Sequence, residues 1–244
     1  MYQAAAAMSA NARWQEIISE NLSAASVPGF KRTEMSFAAQ EAGLMPQDIA
    51  KGQKYLMPSA ATSTVFEQGP LQPSDVKTHV AIDGKGFFEV QLPSGESVYT
   101  RDGSFSLNYA GQLVTKEGYT VVGDGGSFQF DRNTPGEISV SKDGTVSKGT
   151  DVRGRLKVVD VADPTLLTPA GGGYFKVTSS SVKVVDVANP SVRGGMLEMA
   201  NTSAVSEMVS MINAMRLFES NQKVIQAQDE RMGRTITELG GTNS

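Results

Sequence analysis

Residues 20–32 read ENLSAASVPGFKR, and how that stretch is understood decides the fold. It opens as the tail of a helix and then meets Val27-Pro28-Gly29-Phe30. Proline lacks the N–H that would continue the helical ladder, and it pushes Val27 toward extended geometry. Gly29 supplies a permissive backbone for a turn. Upstream, Met1, Ala4, Met8, Asn11, Gln15, Ile18, Leu22 and Ala25 follow a 4-3 spacing with six of the eight apolar. That spacing predicts a helix over 1–27. Ala7, Trp14 and Ile17 lie outside the stripe, so the apolar surface is broad and expects several neighbours. Pro28, Gly29 and Phe30 form a hinge where the chain leaves the helix.

The other end of the chain is helical in the same way. Ala204, Met208, Met211, Met215, Phe218, Gln222, Ile225, Asp229, Met232, Ile236 and Leu239 keep the 4-3 spacing, nine of the eleven apolar. Sustained over several heptads, this predicts a coiled-coil seam. Asn201-Thr202-Ser203 supplies N-cap residues and Gly240-Gly241 a stop. At 1.5 Å per residue such a helix is roughly 55–60 Å long. Neither helix closes a core alone, so the two are expected to pair, leaving apolar faces for other copies or partners.

Between the helices the pattern changes. Residues 77–198 alternate in short segments such as HVAID, GFFEVQL, SVYTR, FSLN and QLVT. Asp83-Gly84, Ser94-Gly95, Asp102-Gly103, Asp124-Gly125 and Asp143-Gly144 punctuate them. Asp-Gly between alternating residues predicts tight hairpins whose central residues both take positive φ. LKVVDVADPT (156–165) and VKVVDVANPS (182–191) agree at seven of ten positions and read as two similar strands. Residues 31–76 carry Pro46, Pro58, Pro70 and Pro73 and little periodicity. They read as an extended connection with one short helix.

The expected fold class is therefore mixed. Paired N- and C-terminal coiled-coil-type helices form a discontinuous domain, with an all-β irregular sandwich or barrel inserted between them. The expected domains are 1–30 with 199–240 (helical assembly), 31–76 (connection) and 77–198 (all-β).

The chemistry-bearing residues are sparse. At 39% hydrophobic and 20% charged, the 244 residues suit a chain that buries a core. A net charge of −4, with no basic cluster longer than Lys31-Arg32, argues against nucleic acid. No cysteine is present, which removes disulfides and thiolate sites. No apolar run is long enough to insert stably in a membrane, and the N-terminus lacks the basic region of a cleaved signal. His79 is the sole histidine and reads as an edge residue of a strand, without partners for a metal. Gly84-Lys85-Gly86 lacks the third glycine of a dinucleotide loop. No cofactor, metal or catalytic residue is expected. Lys31, Arg32 and Arg193 are read as solvated.

Three stretches together resemble one family. NLSAASVPGFKR is similar to the N-terminal signature of bacterial flagellar axial proteins of the rod and hook. VAIDGKGFFEV with YTRDGSFSLNYAGQLVTKEGYTVVG resembles their central signature. GMLEMANTSAVSEMVSMINAMRLFESNQKVIQAQDE resembles their C-terminal one. Ser23 and Val27, and Met199-Ala200-Asn201-Thr202, depart slightly from the pattern. The resemblance implies a non-enzymatic subunit of the basal-body rod, the hollow shaft that carries motor torque through the envelope. It implies homo- and hetero-assembly with other rod subunits. It also implies export by the flagellar type III apparatus without a cleaved signal, and residence in the periplasm-spanning rod. Length and the compact β-domain look most like the proximal rod subunit. Alternatives are a distal rod or hook-type subunit, or a secreted β-domain that binds glycan or matrix on a helical stalk. The assembly interface is expected at Met8, Trp14, Ile18, Leu22, Met208, Met211, Met215, Phe218, Ile225, Met232, Ile236 and Leu239.

Overall fold

The proline stop operates as chemistry dictates: helix α1 (Tyr2–Ala24) ends three residues before Val27-Pro28 closes. In the computed structural model the described residues are 2–42, 55–131, 134–178 and 182–240, with side chains described over 8–36, 61–131, 134–178 and 182–234. The chain forms two compact units. One comprises Met1–Ser23, Thr33–Ser63 and Ala204–Ser244; the other comprises Ala24–Arg32 and Thr64–Ser203.

The first unit holds α1, a two-stranded sheet of β1 (Thr33–Ala42) and β2 (Tyr55–Thr64), and the C-terminal helix α2 (Ala204–Gly240). The β1–β2 ribbon occupies much of the expected connection. The short helix expected there falls on no described residue, residues 43–54 lying outside them. Asn21 ties α1 to the ribbon. Its side-chain amide donates to the Thr33 carbonyl at 2.9 Å, and its oxygen accepts from the Thr33 N–H at 2.9 Å. The asparagine thus imitates a strand neighbour. Asn21→Ala is expected to cost about 1–3 kcal/mol, because it leaves two partly buried backbone groups unpaired. Thermal unfolding followed by circular dichroism measures it.

The expectation of paired coiled-coil helices is corrected here. The structure has one helix at each end and a β-rich middle, with no coiled-coil seam between the helices among the described residues. The contact described between them is polar: Asn11 donates from Nδ2 to the Ala214 carbonyl at 3.2 Å. The physical reason lies in helix geometry. At about 100° per residue, stripe residues three apart stand about 60° apart around the axis, so the stripe is two columns rather than one. The α2 stripe therefore straddles two faces. Glu207 and Ala214 are buried and Met211, Phe218 and Ile225 half-buried on one side. Met208 and Met215 fall on the other, 54% and 52% exposed.

The second unit is all β. Its central sheet runs β15–β16–β6–β5–β9–β8–β7, where β5 is Phe87–Gln91, β6 Ser97–Thr100, β7 Ser106–Leu107, β8 Leu113–Val114, β9 Thr120–Gly123, β15 Leu167–Gly171 and β16 Tyr174–Val177. β10 (Gly126–Ser127) extends β9, while β14 (Val158–Val161) joins β5 to β17 (Val184–Asp186). A three-stranded sheet of β11 (Ile138–Val140), β12 (Thr145–Lys148) and β13 (Asp151–Arg155) packs beside it. Two further pairs join β3 (Leu71–Pro73) to β19 (Met196–Glu198) and β4 (Val80–Ile82) to β18 (Val192–Gly194). The two echo segments are antiparallel neighbours, with Val159 opposite Asp186 and Val161 opposite Val184.

β5 explains the apolar run GFFEV. Phe88 and Val90 face the main core with Phe105, Leu113, Val121 and Phe130. Phe87 faces a second cluster with Tyr99, Val159, Leu167 and Phe175. A strand covered on both faces has no reason to alternate. Glu89, also buried, is held by Lys157 at 2.9 Å and Ser97 at 2.8 Å.

The hairpins differ from expectation. No non-glycine residue takes positive φ among the described residues, so the two-residue Asp-Gly turns do not form. Four loops repeat another pattern. In Leu92–Glu96, Asn108–Gln112, Thr115–Tyr119 and Ser141–Thr145, the first carbonyl accepts from the glycine three residues on, and the first N–H donates to the fifth residue. Only that glycine is left-handed, as in Gly144 at φ +83. This is the three-residue hairpin loop with a glycine bulge, which asks one residue rather than two for positive φ.

Candidate assembly surface and ionic clasp

Two features stand out: an apolar helix face in the first unit and a buried ion cluster in the second. On α2, Val205, Met208, Val209, Ile212 and Met215 are each half or more exposed. At about 100° per residue they occupy one arc, opposite the buried Glu207 and Ala214. Apolar side chains thus lie on two opposite sides of α2, one side buried and the other exposed. Of the expected interface residues, Ile18 is buried within the first unit, and Met8, Trp14 and Leu22 are half-buried there. Met232 is exposed. The side chains of Ile236 and Leu239 lie outside the described residues. Val205, Val209 and Ile212 escaped the sequence analysis because they sit off the 4-3 stripe. A helical-wheel plot of all apolar residues, rather than of one stripe, would have found them.

The hinge residues begin the second feature. Gly29 sits at φ +70 and donates its N–H to the Glu198 carbonyl at 2.7 Å. A Cβ there would lie 2.2 Å from the Asp102 backbone nitrogen, so only glycine lets the chain pass that close. Phe30, half-buried, accepts from the Asn201 N–H at 3.3 Å. Pro28 is half-buried. Beyond the hinge Lys31, expected to be solvated, is 2% exposed. Its ammonium donates to Glu198 Oε1 at 2.5 Å and to the Glu67 carbonyl at 2.7 Å.

Glu198 is completely buried. Its Oε1 also accepts from the Gly69 N–H at 3.0 Å, and its Oε2 accepts from Arg101 at 3.0 Å. Arg101 donates further to the Gly84 carbonyl at 2.7 Å and lies over the Phe87 ring at 5.3 Å. Burial lowers the pKa of both Lys31 and Arg101, and the Glu198 carboxylate opposes that by favouring their charged forms. One anion thus meets two cations, and carbonyl oxygens and a ring face take up the excess positive charge. Asn201 completes the clasp. Its oxygen accepts from Arg32 N–H at 2.7 Å and its amide donates to the Val65 carbonyl at 2.7 Å. Arg193 is exposed, as expected, and pairs with Asp83 at 2.5 Å on the surface. No sequence signal marked Glu198, which reads as one more polar residue beside a short strand.

Elsewhere the chemistry stays modest. His79 Nδ1 lies 2.8 Å from Ser74 Oγ, and burial pushes its pKa down. A cleft of about 420 Å³ is lined by Phe66, Lys85, Phe87, Arg101 and Asp160, among others. Arg101 there is already engaged with Glu198, and Asp160 accepts from the Val161 N–H.

Residues 81–148 match the family described as the flagellar hook protein FlgE/F/G D1 domain, and residues 193–238 match the flagellar basal body rod FlgEFG protein C-terminal family. The chain is 33% identical to the flagellar basal-body rod protein FlgG of Borreliella burgdorferi, over 96% of each chain. It is 31% identical to FlgF of Caulobacter vibrioides, covering 93% of this chain and 92% of that one. It is 30% identical to FlgF of Salmonella typhimurium, over 96% and 95%. Lys31, Arg101 and Glu198 come one each from the three stretches that carried the resemblance in the sequence.

Proposed function

The chain belongs to the flagellar basal-body rod and hook protein family and is a structural rod subunit, not an enzyme; from that premise we propose that it is the proximal rod subunit and enters the rod through the outward face of α2. The observation that carries the assembly role is the exposed arc Val205, Met208, Val209, Ile212 and Met215. Apolar side chains gathered on one face need a cover, and a repeating head-to-tail contact that does not close on itself builds a helical shaft. The expected interface residues Met211, Phe218, Ile225 and Met232 continue along the same helix. On α1, the expected interface residues Met8, Trp14 and Leu22 are half-buried and Ile18 is buried.

The proximal position is supported by the 31% and 30% identity to two FlgF proteins. The 33% identity to a FlgG favours the distal position instead, so the two readings need an experiment. In cells arrested before the distal rod forms, a proximal subunit is retained in purified basal bodies and a distal one is missing. Immunoblotting those particles decides between them. Absence from complete hook–basal bodies would remove both. Export through the flagellar type III apparatus, without a cleaved signal, belongs to the same proposal. Secretion into the medium should stop when that apparatus is inactivated.

A further inference from the structure

Glu198 does more than neutralise two buried cations. We propose that it is the keystone of a clasp coupling two of the places where the chain leaves the β-unit, so that neither the N-terminal exit (24–32) nor the C-terminal exit (199–203) can loosen alone. The inference is independent of the subunit's place in the rod. Its basis is the number of separate segments converging on one side chain.

Three segments far apart in sequence meet at this carboxylate. Lys31 brings the N-terminal exit, Gly69 the strand-poor run that precedes β3, and Arg101 the end of β6. Glu198 itself ends β19, immediately before the C-terminal exit. Its backbone carbonyl holds Gly29 as well. Removing any one charge leaves the others buried in surroundings that cannot solvate them. Displacing Lys31 would leave Glu198 with one counter-charge and loosen its grip on Gly69. Displacing Glu198 would leave two cations facing each other. Phe30 and Asn201 add a direct backbone bond between the exits, and Met199 is fixed by its N–H to the Pro70 carbonyl at 2.9 Å. Residues joined through one shared carboxylate respond together rather than additively.

The test is amide hydrogen exchange on the full chain, comparing wild type with Glu198→Gln and Lys31→Met. In both variants protection at Gly29, Arg32, Gly69 and Met199 should fall together, by at least about tenfold, while the β-core amides of Val90 and Val121 keep theirs. Lys31→Met preserves the neutral Glu198–Arg101 pair, so it remains informative if Glu198→Gln fails to fold. An effect of Lys31→Met confined to residues 29–32 would mean that the exits are independent and would overturn the proposal. A uniform loss that includes Val90 and Val121 would overturn it too, because Glu198 would then support only global stability. Unchanged protection at all four exit amides would have the same consequence.

Discussion

Replacing Met208 and Ile212 together by glutamate is expected to abolish incorporation into the basal body, and with it motility, while the purified protein stays folded. Both side chains project from the outward face of α2, 54% and 51% exposed, so the folded chain loses only part of their packing. About half of each side chain is already covered, so burying the rest in a neighbour would contribute about 0.7–1.5 kcal/mol apiece. Two such losses alone weaken subunit affinity by about tenfold or more. Two carboxylates set against an apolar partner then add a desolvation cost. In a shaft the deficit recurs at each subunit contact. The measurement is paired: fractionation of basal bodies for incorporation, and thermal denaturation for folding. Normal incorporation would show that this face stays in solvent within the rod. Met211→Glu is a contrasting variant. Met211 sits half-buried on the inner side of α2, so charge there should lower the unfolding temperature as well as assembly.

The contrast between Met208 and Met211 also shows how far the sequence could be read. Both lie on one 4-3 stripe, and the stripe correctly announced a long helix. It could not say that the edge of the buried face would fall between them, because two residues three apart stand about 60° apart on a helix and spacing alone does not locate the tertiary neighbour. Expecting a coiled coil from it was the consequence. The strands around Phe88, Val98 and Leu113 were legible, since local alternation and turn residues are properties of neighbouring positions. Turn type was less so: Asp143-Gly144 announced a turn, yet the loop spends one left-handed residue where two were expected. The clasp was invisible. Lys31 and Glu198 are separated by 167 residues and Arg101 and Glu198 by 97, and a charge written in a linear sequence looks solvated until its counter-charge is found. What the sequence did hold was the three stretches carrying the resemblance. The structure gives them a physical connection, because each contributes one charge to the same buried cluster.

The stretch ENLSAASVPGFKR yields the other large expected effect. Gly29→Ala should cost at least about 3 kcal/mol, whereas Gly95→Ala should cost only about 1–2 kcal/mol. Both glycines are left-handed, at φ +70 and +89, so both substitutions carry the same conformational penalty for an L-residue. They differ in surroundings. A Cβ on Gly95 meets nothing within 4 Å, whereas one on Gly29 would lie 2.2 Å from Asp102 N and 2.4 Å from Arg101 C. Those are backbone atoms of the segment carrying Arg101, so the clash cannot be relieved by turning a side chain. Relief requires the hinge to lift away, which stretches the Gly29–Glu198 bond and draws Lys31 from its seat. At about 2–4 °C per kcal/mol for a chain of this size, Gly29→Ala should lower the unfolding temperature by roughly 6–12 °C, and Gly95→Ala by much less. Equal shifts for the two would mean that backbone conformation alone governs the hinge. A larger shift for Gly29 means that close approach of the exit to the β-unit is what the glycine serves, and that the early end of α1 is set by where the chain must next be held.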